Sequence, residues 1–201
     1  MGEINKMGKV EENKEEKKQK ILDSAFKLFT TKSVKETSVQ DIATDAGIAK
    51  GTFYLYFKDK YDVQDYLIAK KSRQLLSKAV AHVKKQKYSK FEDKLIAVID
   101  YIIDEFCRNK LLLKFISKNL SYGLYSDKVA LFIDDSSIGL VKLFKEEMSK
   151  SRIEIENPEI TLFMIIEFVS STAFSSITSN KPLPIKEFKP YLYKNIKRMI
   201  S

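Results

Sequence analysis

The stretch Thr37 to Lys60, TSVQDIATDAGIAKGTFYLYFKDK, gathers hydroxyls (Thr37, Ser38, Thr52), phenols (Tyr54, Tyr56), an amide (Gln40) and ammonium groups (Lys50, Lys60) within 24 residues. These groups donate hydrogen bonds to anionic oxygens. None of them makes or breaks bonds without a partner. The rest of the chain offers little catalytic chemistry. It has one histidine, His82, one cysteine, Cys107, no phosphate-cradling glycine loop and no His/Cys/Asp/Glu cluster at metal-ligand spacing. Asp100 and Asp104 share a helix face, which reads as a solvated face rather than an acid/base pair. The expectation is a protein that is not an enzyme and needs neither cofactor nor metal.

Two short helices and a tight turn must position those donors. Thr37 is placed to cap the first helix, with Gln40 three residues on to close a capping box. Val39, Ile42, Ala43 and Ala46 then recur at helical spacing. Gly47 stands where the helix must stop, at a position suited to positive φ. Ile48 is apolar, and Phe53 and Phe57 lie four apart on one face of a second short helix. Lys50, Thr52, Tyr54 and Tyr56 point elsewhere. Helix, glycine turn, helix is a helix-turn-helix. A preceding helix, about Lys17 to Thr31, carries an apolar stripe (Ile21, Leu22, Ala25, Phe26, Leu28, Phe29) to pack on it. Phe53 and Phe57 are therefore structural, whereas Tyr54 and Tyr56 are left for a ligand.

AGIAKGTFYLYFKDK resembles the signature of TetR-type transcriptional regulators, and the likeness extends over about Lys18 to Lys60. Two positions depart from the family pattern. Ala49 stands where a Ser usually caps the recognition helix, and Ser33 where a Gly usually follows the first helix. The resemblance implies an all-α fold, with an N-terminal three-helix DNA-binding domain and a C-terminal helical domain for ligand binding and dimerisation. It places Thr37 or Ser38, Tyr54, Tyr56 and Lys60 at phosphate contacts, and Gln40, Lys50, Gly51 and Thr52 at base edges. Gly51 lets backbone approach closely. No arginine precedes Arg73, so the usual bidentate reader of guanine is missing, which leans the expected operator toward A·T.

The 201 residues suffice for one or two domains with a real core. Boundaries are expected at 1–17 (a charged tail, disordered or a fraying helix), 18–60 (helix-turn-helix) and 61–201 (effector and dimer domain). One cysteine excludes an internal disulfide and fits a reducing compartment. The N-terminus lacks a secretory pattern. The apolar segment Ile160–Ile177 contains Glu167 and many hydroxyls, so it reads as a buried or interface helix rather than a membrane span. The expected location is cytoplasmic. Net charge is +9, yet residues 1–60 hold 12 Lys against 10 acids, so the DNA-reading part contributes only +2. Lys70 to Lys90, with eight Lys/Arg and no acid, carries much of the excess and reads as a solvated face.

Beyond a fourth helix of about 60–85, helices are expected at about 91–108, 110–121, 127–150, 158–179 and 186–200. By the resemblance the last two pair with their copies as a four-helix bundle, using Phe163, Ile166, Val169, Ala173, Phe174, Tyr191, Tyr193 and Ile196. A twofold homodimer would then present two recognition helices to a palindromic double-stranded operator, about 34–36 Å apart or a multiple of it. The resemblance also implies a small-molecule pocket. Tyr101, Phe106, Cys107, Phe115, Tyr122, Tyr125, Phe132, Phe163 and Glu167 are its expected lining, suited to an apolar or aromatic effector that releases a repressor from DNA. The competing reading is a helical protein-interaction or non-specific polyanion-binding module, which would bind without sequence preference.

Overall fold

Helix α1 runs unbroken from Gly2 to Thr31 in a computed structural model that describes residues 2–125, 140–151 and 153–201. The segment read as a tail is thus a helical continuation of α1. Its Glu and Lys residues are good helix formers, and Glu16 reaches Lys20 one turn on at 2.8 Å. Every regular element among the described residues is a helix. The chain divides into two units, Met1–Leu67 and Ile68–Ser201.

In the first unit α2 (Val39–Asp45) and α3 (Lys50–Phe53) stand against α1. The core is Ile21, Leu22, Ala25, Leu28, Phe29, Ile42, Ala43, Phe53 and Phe57, all buried, while Phe26 and Ile48 are half-buried. The cap of α2 differs from the expectation. Ser38, not Thr37, is the N-cap, and Asp41 rather than Gln40 closes the box: Asp41 N donates to Ser38 Oγ at 3.0 Å and Ser38 N to Asp41 Oδ2 at 2.9 Å. The partner moves with the cap: Asp41 is third after Ser38, as Gln40 is third after Thr37. Gly47 has φ +66°, as its place after α2 requires.

Ser33, where the family has Gly, sits at φ 91°. An L-residue there opposes its own carbonyl at a cost of about 1–2 kcal/mol. The turn offsets part of this, since Thr37 Oγ1 donates to the Ser33 carbonyl at 2.7 Å and Ser33 Oγ to Glu36 Oε2 at 3.2 Å. Ser33→Gly is expected to stabilise the first unit by about 0.5–1 kcal/mol, after allowing for the freer unfolded chain. Thermal unfolding checks it; a lowered midpoint would mean the Ser33 hydroxyl holds the turn more than the backbone resists it.

The second unit is built from most of α4 (Lys60–Lys84), then α5 (Phe91–Arg108), α6 (Lys110–Ile116), a 3-10 turn (Ser117–Asn119), α7 (Leu120–Tyr125), α8 (Leu140–Ser151), α9 (Pro158–Ser179) and α10 (Ile185–Met199). The expected 110–121 helix is really three pieces, and Gly123, read as part of a turn, lies inside α7. Helix α9 is central, packing against α5, α7, α8 and α10. Asn157 caps it through its side chain, with Pro158 at the first helical position. Its length and a mean hydropathy of 1.7 would suit a membrane span, but eight of its residues are buried inside this unit. Helix α10 starts at Ile185 and carries Pro190 within it.

A salt-bridge network fastens α10 to α5 and corrects the solvated-face reading of Asp100 and Asp104. Lys189 Nζ lies 2.5 Å from Asp100 Oδ1 and 2.6 Å from Asp104 Oδ1, and the Tyr193 hydroxyl donates to Asp100. Burial pushes the Asp100 carboxyl up, but Lys189 and Tyr193 together outweigh it and hold it below its ordinary value. Burial likewise pulls Lys189 down, and the two aspartates outweigh it and hold it above its usual value. A depressed carboxyl stabilises above its unfolded pKa and stops doing so as pH falls through the folded one; a raised ammonium stops as pH rises through the folded one. Lys189→Met should destabilise by about 1–2 kcal/mol at neutral pH, a partly exposed pair being worth less than a buried one. In thermal unfolding the deficit should shrink once pH drops far enough to protonate Asp100. A deficit independent of pH would assign Lys189 to packing alone.

Candidate nucleic-acid interface

The first unit separates its aromatic residues by face. Phe53 is fully buried and Phe57 nearly so, whereas Tyr54 is 52% exposed and Tyr56 half-buried. Helix α3 is short, and its N-cap, Ala49, makes no side-chain hydrogen bond. The chain past it turns on, with Tyr56 N donating to Phe53 O at 3.0 Å and Phe57 N to the same carbonyl at 3.1 Å. This keeps Phe53 and Phe57 in register one turn apart, and their rings meet at 6.1 Å. Lys50 and Gly51 are exposed and Thr52 is half-buried. A Cβ built on Gly51 meets nothing within 4 Å, so the fold itself does not require glycine there.

Two expected phosphate contacts take other roles. Thr37 is buried to 1% exposure and its hydroxyl donates inward to Ser33 O. It shapes the turn and does not face solvent, so Ser38, exposed at the N-cap of α2, is the hydroxyl available there. Lys60 Nζ donates to the carbonyls of Lys35 and Thr37, at 2.9 and 2.8 Å. Its charge ties the start of α4 to the loop entering α2, which makes it a positioning residue with one remaining donor. Gln40 is exposed and its amide donates to Thr44 Oγ1 at 3.2 Å. The surface also contains a residue the sequence reading passed over: Leu55 is 81% exposed. Helical spacing would have found it, because two residues from both Phe53 and Phe57 is the opposite side of a helix.

The pattern of bacterial regulatory proteins of the tetR family matches residues 21–66, which span this three-helix core and the start of α4. Residues 21–66 are thus similar to the tetR-type DNA-binding segment. An HTH-type transcriptional regulator of Staphylococcus aureus (strain USA300) is 26% identical over 181 residues, covering 88% of this chain and 90% of that protein. A TetR-family regulator from Syntrophomonas wolfei shares the fold at a TM-score of 0.67, with 18% identity over 94% of this chain and 96% of that one. The FadR regulator of Bacillus subtilis, solved in complex with stearoyl-CoA, aligns at a TM-score of 0.61, with 19% identity over 91% and 97% of the two chains.

In the second unit, the described residues among the nine expected to line a pocket lie in different surroundings. Phe106 and Phe115 are plain core, and Cys107 is half-buried. Tyr101 stacks on His82 at 4.9 Å beside an open polar groove. Tyr125 meets Phe163 edge-on at 5.8 Å, and Tyr122 and Phe163 are 43% and 45% exposed. Burial, with the Glu159 charge adding to it, pushes the Tyr125 hydroxyl up to about 12. Glu167 is exposed and accepts a hydrogen bond from Ser121. Phe132 lies outside the described residues. An apolar cavity of about 80 Å³ lies between α4, α5, α8 and α9, walled by Val80, Val83, Leu95, Val98, Leu143 and Leu162. Lys94 and Glu147 form an ion pair among its lining residues.

The expected dimer residues also divide. Ile166, Val169, Ala173 and Ile196 are buried within their own unit, and Tyr193 is tied to Asp100. Helix α9 spreads its apolar residues round its circumference, so its sequence could not say which side the subunit keeps. What it leaves outside is Ile160, Phe163 and Met164, at 55%, 45% and 46% exposure, with Ser171 and Ser175 further along. Phe174 is half-buried, and Tyr191 on α10 is 61% exposed.

Proposed function

We propose that this regulator is a ligand-released repressor that binds a palindromic operator as a homodimer, working in the cytoplasm. The observation that carries the reading is the recognition segment Lys50–Tyr56, held by buried Phe53 and Phe57 while Lys50, Gly51 and Tyr54 stay exposed. Ser38, Tyr54 and Tyr56 hold the phosphates, and Gln40, Lys50, Gly51 and Thr52 meet base edges, with Lys60 steadying the loop before α2. A single recognition element reads few base pairs, so two copies are required. The apolar strip Ile160, Phe163, Met164 and Tyr191, next to small Ser171 and Ser175, supports pairing through α9 and α10. The boundaries proposed for the working parts remain a reading head near 18–60 and an effector and dimer body beyond it.

The effector is an apolar molecule seated at the α4–α5–α8–α9 cavity. Its walls favour an aliphatic or aromatic group, and the acyl-CoA in the B. subtilis FadR complex gives a chemistry of this kind. A volume of about 80 Å³ admits only part of such a molecule. Binding therefore requires the helices to part, and the effector acts by favouring that widened arrangement over the one that fits DNA.

Selection from random duplexes, followed by gel shifts at fixed salt with competitor DNA, tests the DNA half. The expected result is a palindrome rich in A·T that binds two chains. Binding that falls with salt but shows no sequence preference would instead favour the polyanion-binding module. Adding long-chain acyl-CoA or aromatic acids to the shifted complex tests the effector half, and release by none of them would reject the apolar effector.

A further inference from the structure

Leu55 is the most exposed large apolar side chain among the described residues, at 81%, and it stands in the middle of the recognition segment. Its position follows from the packing of its neighbours. Phe53 and Phe57 face the core, and a residue two places from each lies about 200° round the helix from them. Past the end of α3 the chain winds on in a tighter turn, with Leu55 N donating to Thr52 O at 3.2 Å and Phe57 N to Phe53 O at 3.1 Å, and this leaves Leu55 outward. Leu55 is three and four residues from Thr52 and Gly51, so the three share one face. That face includes the glycine on which a Cβ would meet nothing.

Leucine has no donor or acceptor, so it gains nothing from a phosphate oxygen. Within the major groove the apolar group that a base pair offers is the C5-methyl of thymine. We propose that Leu55 is a specificity-determining residue that packs on a thymine methyl in each operator half-site. This rests on the reading of Lys50–Tyr56 as the groove-entering segment. Thr52 also carries a methyl that can meet a thymine methyl, so Leu55 adds a second apolar reader beside it and strengthens the expected preference for A·T, in a recognition segment without arginine.

The test uses the full chain and the operator recovered by selection. Each thymine of a half-site is replaced in turn by uracil, which removes the methyl and leaves every hydrogen-bonding group in place. Affinities are measured for the natural chain and for Leu55→Ala, whose folding is confirmed by thermal unfolding. At one thymine, uracil should weaken the natural chain about fourfold per half-site, the value of one buried methyl-sized group, and should leave Leu55→Ala unaffected. A thymine touched by Thr52 should remain sensitive in both chains. If Leu55→Ala binds as tightly as the natural chain, or stays sensitive at every thymine, the methyl contact is overturned while operator binding stands. If selection recovers no preferred sequence, the groove-entering reading fails and this contact fails with it.

Discussion

Gly51→Ala is expected to weaken operator binding by roughly one to two orders of magnitude, about 1.5–3 kcal/mol, without harming the fold. The added methyl has open space around it, and the Gly51 backbone does not adopt a positive φ. In a helix such a change ordinarily stabilises, by about 0.5–1 kcal/mol, because glycine has more freedom to lose on folding. A glycine that the folded chain does not need, on the exposed side of its recognition segment, is best accounted for by something that approaches from outside. With a Cβ in the way, charge-assisted contacts between this face and the duplex lengthen together. Fluorescence anisotropy at fixed salt, alongside thermal unfolding, measures both quantities. Full affinity in Gly51→Ala would remove this face from the interface.

Gly123→Ala should act in the opposite sense, on stability alone. A Cβ at Gly123 would lie 2.6 Å from Ser72 Oγ, 3.0 Å from Ser72 Cβ and 3.1 Å from Ile68 Cγ2. Rotating Ser72 moves its oxygen but not its Cβ, so helix α7 must shift away from α4. Overpacking of this kind costs about 1–3 kcal/mol, or several degrees of midpoint in a unit of this size. Ser72 Oγ is itself buried without a hydrogen-bond partner among the described residues. Ser72→Ala alone should therefore be neutral or mildly stabilising. Combined with Gly123→Ala it should recover part of the loss, because it removes the shortest of the three contacts. Purely additive effects in that double-mutant cycle would show that the two residues do not press on each other.

Much of the DNA-reading head was legible from the chain because its signals are local. Gly47 at a helix end, Phe53 and Phe57 one turn apart, and an apolar stripe from Ile21 to Phe29 are all set by backbone geometry over a few residues. The uncapped Ala49 and the Ser33 turn were also visible as departures from a pattern. The errors there were local choices between neighbours of similar chemistry: Ser38 over Thr37 as the cap, Asp41 over Gln40 as its partner. Leu55 was missed although its spacing from the two phenylalanines was in plain view.

The sequence by itself determined an all-helical chain with a helix-turn-helix near its start, since capping, glycine placement and helical periodicity need no distant partner. Only the tertiary structure decided which side of α9 belongs to the subunit, because a helix whose apolar residues are spread round it has no single preferred face. It decided likewise that Asp100 and Asp104 are held by Lys189, more than eighty residues away, and that Val80, Leu95 and Leu143 come together round an apolar cavity. Each of these depends on which helices become neighbours, and that choice is made by the packing of the whole unit.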